Sequence, residues 1–196
     1  MKTVNPKIYT KDFYLHTCLG SKEFNKSDGR KLHWRVIKLL DKIKLNSTDK
    51  VLDVGCGRGD ISLYLARYAQ NVTGIDYAKD AIDIAKIIKN KFPKKIKEKT
   101  TFKVMDAKKL LFKDNSFDVI VCIDVFEHLY PEELDIALQE FKRVLKPNGI
   151  LFIHAGTNKL LYEITYRYYI RPVNILLTRI DQIIKKTRYD PLPEDP

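Results

Sequence analysis

Cysteine, methionine and tryptophan are scarce in this chain: three, two and one among 196 residues. Cys18, Cys56 and Cys122 are too few and too widely spaced for a disulfide framework, and with no C-x-x-C pair or Cys/His cluster a structural metal is not expected. No run of roughly eighteen uncharged apolar residues exists, which excludes an ordinary membrane-spanning helix. The opening "MKTVNPKIYT" lacks the apolar stretch of a secretion signal, so the expected location is the cytoplasm. Internal repeats at solenoid period and low-complexity tracts are also missing, which sets aside repeat arrays and disordered tethers.

What is present reads as one globular unit. Apolar residues make up 44% and charged residues 31% of the chain, enough to bury a core and stay dissolved. The formal net charge of +11 invites a nucleic-acid reading, but residues 79–113 alone carry +8 of it. There the lysines alternate with isoleucine and lack the interleaved aromatics of a base-stacking groove, so a solvated lysine-rich edge is the better reading.

Along the chain the hydrophobic period alternates. After a polar, aromatic-bearing lead (1–29), Leu32, Val36, Leu39, Leu40 and Ile43 recur at helical spacing. "KVLDV" is a short apolar strand, Asp60 stands where it could cap the helix "ISLYLARYA", and "NVTGID" is a second strand ending on an acid. The segment "AKDAIDIAKIIKN" is helical until Pro93, "TTFKVMDA" is a third strand and "FDVIVCID" a fourth. Pro131 opens a helix whose expected core stripe is Leu134, Leu138, Phe141 and Leu145; "KPNG" then turns into a fifth strand, "ILFIHAG". Strands alternating with helices predict an α/β fold, a doubly wound parallel sheet with helices on both faces. The expected divisions are a helical lead at 1–48, a Rossmann-like core at 49–157 and a C-terminal helical segment at 158–196.

The densest chemical signal is "VLDVGCGRGD", residues 51–60, where a strand runs into three glycines in five positions. Such a loop lies where ligands bind in a parallel sheet. Gly55, Gly57 and Gly59 permit a tight turn and close approach of a ligand. Their spacing is G-x-G-x-G, which differs from both the dinucleotide fingerprint and the phosphate loop. Asp53 and Asp60 bracket the position a pyrophosphate would take and would oppose a dianion. An adenosine without phosphate and with a cationic end suits the loop better, and S-adenosylmethionine answers to that description.

On these residues the chain resembles the class I S-adenosylmethionine-dependent methyltransferases, in their small-molecule, type 11-like branch. The resemblance runs over about residues 50–155 and implies strand order 3-2-1-4-5. It implies that Asp76 holds the ribose hydroxyls, with Tyr77 near the adenine, and that Asp106 contacts the adenine amino group between Met105 and Ala107. Cys122, Ile123 and Asp124 match the end of the fourth strand, and Cys56 reads as a small buried filler in the loop. "LKPNG" is similar to the family's usual "LKPGG", Asn148 replacing a glycine.

Methyl transfer from a sulfonium needs in-line placement more than acid–base help. Where a base is needed, His128, Asp124 and His154 are the candidates, with His128 first because its free pKa lies near working pH. The fourth strand ends in "CIDVFE" and not in the Asn/Asp-Pro-Pro-Tyr run of amino-group DNA methyltransferases, leaving a small-molecule, lipid-type or glycan acceptor. The tail beyond 157 reads as two helical segments broken near Pro172, with a stripe of Tyr162, Tyr166, Arg167 and Tyr169 that reads first as a helix laid on the sheet and otherwise could cover the pocket, touch a membrane surface or pack a dimer, and the family's last antiparallel strand pair is not legible. That gap keeps a non-catalytic S-adenosylmethionine-binding or partner-binding domain as the alternative. A nicotinamide-dependent oxidoreductase and an RNA methyltransferase follow behind it, and oligomeric state is not readable.

Overall fold

The computed structural model describes residues 8–156. Five strands, β1 (Lys50–Val54), β2 (Asn71–Asp76), β3 (Thr100–Val104), β4 (Phe117–Ile123) and β5 (Leu145–His154), form one sheet in the order β3-β2-β1-β4-β5. Every pairing is parallel. The order reverses beside β1, which puts the carboxyl ends of β1, β2 and β4 around one crevice. β1 and β4 are buried nearly throughout, as their unbroken apolar runs require of central strands.

Helices cover both faces. On one, Leu32, Val36 and Leu40 of α2 (Trp34–Leu40) and its approach pack with Leu65 of α3 (Asp60–Leu65) against Val51, Val72 and Val119. On the other, Phe141 and Val144 of α6 (Pro131–Val144) meet Leu52, Val54 and Ile120. A third cluster joins α4 (Lys79–Lys89) to Phe102 of β3 and to Phe24 of α1 (Ser21–Ser27).

Four details depart from the sequence reading. α4 stops at Lys89, four residues before Pro93, and Pro93 instead stands at the start of a further helix not expected from the sequence, α5 (Lys94–Lys99), all lysine, isoleucine and glutamate. Asp60 is the first helical residue of α3 and not its cap, because Gly59 takes that place in a left-handed conformation. On α6 the buried residues are Glu133, Ala137, Phe141 and Val144. Leu138 is exposed and Leu134 and Leu145 only half-buried, so the stripe is rotated from the expected one: buried pairing of Glu133 turns the small Ala137 to the sheet. "KPNG" lies within β5 as an irregularity, where the β4 register shifts between Phe117 and Val119 and Asn148 takes a φ of 64°.

The lead is built into the body of the domain. Packing divides the chain into residues 1–155 and 156–196, so the lead and the sheet share one unit. A π-helical turn (Phe13–Thr17) and α1 are held by Arg58, only 5% exposed, from the glycine loop. Its Nη1 donates to the Tyr14 carbonyl at 2.7 Å and its Nη2 to the Leu19 carbonyl at 2.8 Å. The guanidinium lies 4.4 Å from the centre of the Phe24 ring and is ion-paired with Asp60 at 3.3 Å. The expected C-terminal helices, and with them the expected absence of a last strand pair, lie outside the described residues.

Because two charge-assisted bonds and a ring contact meet at one buried guanidinium, Arg58→Met should lower unfolding free energy by about 3 kcal/mol. Arg58→Lys should recover little, lacking the planar fork. Urea denaturation of the three proteins checks this; equal midpoints for parent and Arg58→Met would show that the lead does not depend on the clamp.

Candidate active site

β1 stops at Val54, and the chain turns through Gly55, Gly57 and Gly59 with φ of 70°, 50° and 80°. A Cβ on Gly55 would stand 2.2 Å from Val125 and one on Gly59 2.5 Å from Phe102, so both glycines are demanded by packing as well as by backbone. Gly57 differs. Its Cβ would meet only Tyr14, at 3.4 Å, and its backbone forms part of a cavity wall.

The loop is pinned by Asp76 at the end of β2. Its Oδ2 accepts the Gly57 N–H at 3.0 Å, its Oδ1 accepts the Ala78 N–H at 2.8 Å, and the Tyr14 hydroxyl hydrogen-bonds to it as well. Burial pushes the Asp76 carboxyl up from the ordinary carboxylate range, and these three donors pull against that rise. Along β3 the Met105 N–H bonds to the Asp76 carbonyl at 3.0 Å, carrying Asp106 and Ala107 to the same crevice. Asp106 accepts the Lys108 N–H at 2.9 Å and pairs with the Lys108 ammonium at 3.2 Å. That ammonium also reaches the fully buried Glu133 at 2.7 Å. Burial would raise the Glu133 carboxyl, yet Lys108 and the Tyr130 N–H hold it below its usual range.

The cavity so enclosed measures about 390 Å³, within the usual span for small-ligand sites. Of the expected cofactor residues, Gly55, Cys56, Gly57, Asp76, Tyr77, Met105, Asp106, Ala107 and Ile123 line it. Asp124 and His128, the candidate bases, also face it. His128 ends a short 3-10 turn (Phe126–His128), its ring 5.7 Å edge-on from Tyr9. Asp124 sits at a φ of 54°, unusual for a residue with a side chain, and its Oδ1 is 2.7 Å from Nδ1 of His154. His154 stands behind Asp124 and outside the cavity wall.

Three expected cofactor residues are elsewhere. Cys122 is wholly buried under α6, and Gly59 packs against Phe102. Asp53 points behind the loop, where its Oδ2 accepts the Ser62 hydroxyl at 2.5 Å. The expected pair of bare carboxylates beside a ligand therefore does not form: Asp53 is out of the cavity and Asp60 is neutralised by Arg58. The Cys56 thiol, buried and surrounded by acids, is pushed well above its ordinary pKa and suits the filler role.

The lead supplies much of the remaining wall, which the sequence reading missed: Tyr9, Phe13, Tyr14 and Cys18, then Leu32, His33 and Val36. Tyr9 lies edge-on to Phe13 at 5.2 Å and to Tyr77 at 5.7 Å. The run of aromatics in "IYTKDFYLHT" was a visible signal, but nothing local to Arg58 or Lys108 announced partners 25 to 44 residues away.

A parallel sheet in this order, with a glycine turn closing β1 and acids ending β2 and β3 around one cavity, has the architecture of the Rossmann-like class I methyltransferases. Residues 52–153 match the family model described as "Methyltransferase domain", more than half of the chain, and the chain belongs to that family. The ubiquinone biosynthesis O-methyltransferase of Pelagibacter ubique (strain HTCC1062) is 36% identical over 129 residues, 63% of this chain and 50% of that protein. The chain thus spans about half the length of the curated relatives it matches. Among solved structures, the PH0226 protein from Pyrococcus horikoshii OT3 is 30% identical with a TM-score of 0.62, covering 81% of this chain and 69% of that one. A S-adenosylmethionine-dependent methyltransferase from Methanosarcina mazei is 33% identical with a TM-score of 0.52, covering 70% and 66%.

Burial lifts the Asp53 carboxyl to about 7, with the Ser62 hydroxyl opposing the rise. The folded protein then holds this proton more tightly than the unfolded chain, whose carboxyl titrates near ~3.9, so the contribution is full below that pH and is lost as pH rises towards about 7. Asp53→Asn keeps an acceptor for Ser62 and removes the titration. It should be the more stable protein by about 1–4 kcal/mol at about pH 8, and the advantage should vanish near about pH 4. Urea midpoints at the two pH values decide it; a constant difference would mean that Asp53 does not carry the proton.

Proposed function

We propose that this chain binds S-adenosylmethionine in the cavity at the carboxyl ends of β1, β2 and β3 and transfers its methyl group to a hydroxyl of a small, largely apolar acceptor. The observation that carries the reading is the convergence of the Gly55–Gly57 turn, Asp76 and the Met105–Ala107 strip on one cavity that Asp124 and His128 enter from the β4 side.

The residues present fit that cofactor. Gly57 leaves backbone open where a flat or extended ligand must approach, and the Met105–Ala107 strip offers an apolar wall closed by an acid. A carboxylate has about four acceptor sites, and the Gly57, Ala78 and Tyr14 donors occupy three of those on Asp76. One ribose hydroxyl has a place at once; a second takes the site that Tyr14 holds. When bound, S-adenosylmethionine supplies an activated methyl on a sulfonium. The chain's own residues then place the acceptor, exclude water with the Tyr9, Phe13 and Tyr14 side chains, and accept the hydroxyl proton. Positioning of this kind is worth several kcal/mol, up to about 7–11.

For the proton, Asp124 and His128 are the proposed acceptors. His154 engages one oxygen of Asp124 and leaves the other for substrate. The strained backbone of Asp124, costing about 1–3 kcal/mol, is what a residue held for function shows. The name of the Pelagibacter relative, a ubiquinone biosynthesis O-methyltransferase, supports an oxygen acceptor of the quinone-precursor kind.

Calorimetry with S-adenosylhomocysteine, run beside NADH, should show micromolar binding of the first alone. Asp76→Ala should weaken it at least about tenfold, through both the ribose and the loop. With S-adenosylmethionine and catechol-type acceptors, Asp124→Asn and His128→Ala should lower kcat by about 10²–10⁴ while S-adenosylhomocysteine affinity stays as in the parent. Binding without turnover on any acceptor would instead make the chain a cofactor-binding module.

A further inference from the structure

The single tryptophan of the chain is on the surface. Trp34, 63% exposed at the start of α2, lies on an outer face that the cavity does not use. Tyr68, 51% exposed just past α3, shares that face with Tyr64, the two rings 5.5 Å apart. The two segments adjoin: Arg67 Nη2 donates to the Arg30 carbonyl at 3.4 Å, and Tyr64 packs in the same cluster as Val36 and Leu40 of α2. Residues 30–44 carry six cations, Arg30, Lys31, Arg35, Lys38, Lys42 and Lys44, against Asp41 alone. All six are exposed, as is Arg67. This basic cluster adjoins the lysine-rich stretch at 79–113, since Asp28 pairs with Arg30 at 3.7 Å and with Lys91 at 2.7 Å, and none of its cations lines the cavity.

We infer that this α2–α3 face docks on an anionic lipid surface. Amphipathic rings beside lysine and arginine at the level of a headgroup layer are what hold a protein at such a surface, each cation near it adding to the attraction. A single-stranded nucleic acid would need open ring faces for its bases. Here a cation covers a face of two of the three rings: Lys38 stands 5.1 Å from the Trp34 centroid and Arg67 stands 5.4 Å from that of Tyr64. The inner side of the same segment, Leu32, His33 and Val36, is cavity wall, so docking here brings the cavity beside the bilayer. The inference stands on the surface itself and not on methyl transfer.

Trp34, as the one tryptophan, reports on its own face. Its emission should shift to the blue and the full chain should co-sediment with vesicles of phosphatidylcholine and phosphatidylglycerol, and neither should happen with phosphatidylcholine alone. The Lys38→Glu, Arg67→Glu double variant, which keeps the tryptophan, should bind these vesicles at least about tenfold more weakly while binding S-adenosylhomocysteine as the parent does. Co-sedimentation with unchanged Trp34 emission would overturn the inference by placing the contact elsewhere, as would undiminished binding of the double variant. Single-stranded RNA that quenches Trp34 and competes the vesicles away would assign the face to nucleic acid and overturn it as well.

Discussion

Two backbone N–H groups, from Gly57 and Ala78, converge on the carboxylate of Asp76, and the cavity exists because they do. That one side chain ties the loop leaving β1 to the loop leaving β2. A buried carboxylate is costly unless it is met by donors, and donors left without an acceptor are costly too. Each satisfies the other only in this geometry, so the glycine turn and the strand end are locked together. The Tyr14 hydroxyl adds a third donor and brings in the lead.

The lead is held a second time by Arg58, whose guanidinium donates to two of its carbonyls and covers the Phe24 ring. Asp76 grips the turn at Gly57, and Arg58, the next residue of that turn, reaches out to the lead. Between them they convert an open crevice at the end of a parallel sheet into a cavity with an aromatic cover. Catalysis by placement and exclusion of water asks for that enclosure more than for any single reactive group.

On the β4 side the arrangement is different in kind. Asp124 keeps a left-handed backbone and a histidine neighbour from the adjacent strand, and His128 stands one short turn further on. The proposed cofactor half of the site rests on backbone hydrogen bonds, whereas the proposed acceptor half rests on side chains at strand ends. Changes of acceptor within this fold can therefore be made at β4 without disturbing the cofactor half.

Much of this was legible in the residues. The switch of period from strand to helix located all five strands, and three glycines after an apolar strand marked the ligand loop, because glycine is demanded where backbone must turn tightly or be approached. Asp76 and Asp106 were legible as acids ending strands. The direction of Asp53, the rotation of α6 and the roles of Arg58, Lys108 and Tyr14 were not, since each depends on a partner far along the chain or on which of two faces a buried charge takes. Local chemistry determined the elements and the loop. Only packing decided which carboxylates face the cavity and which are buried behind it, because burial raises the free energy of a charge until a specific donor, here Ser62, Lys108 or a loop N–H, comes within reach in the folded chain.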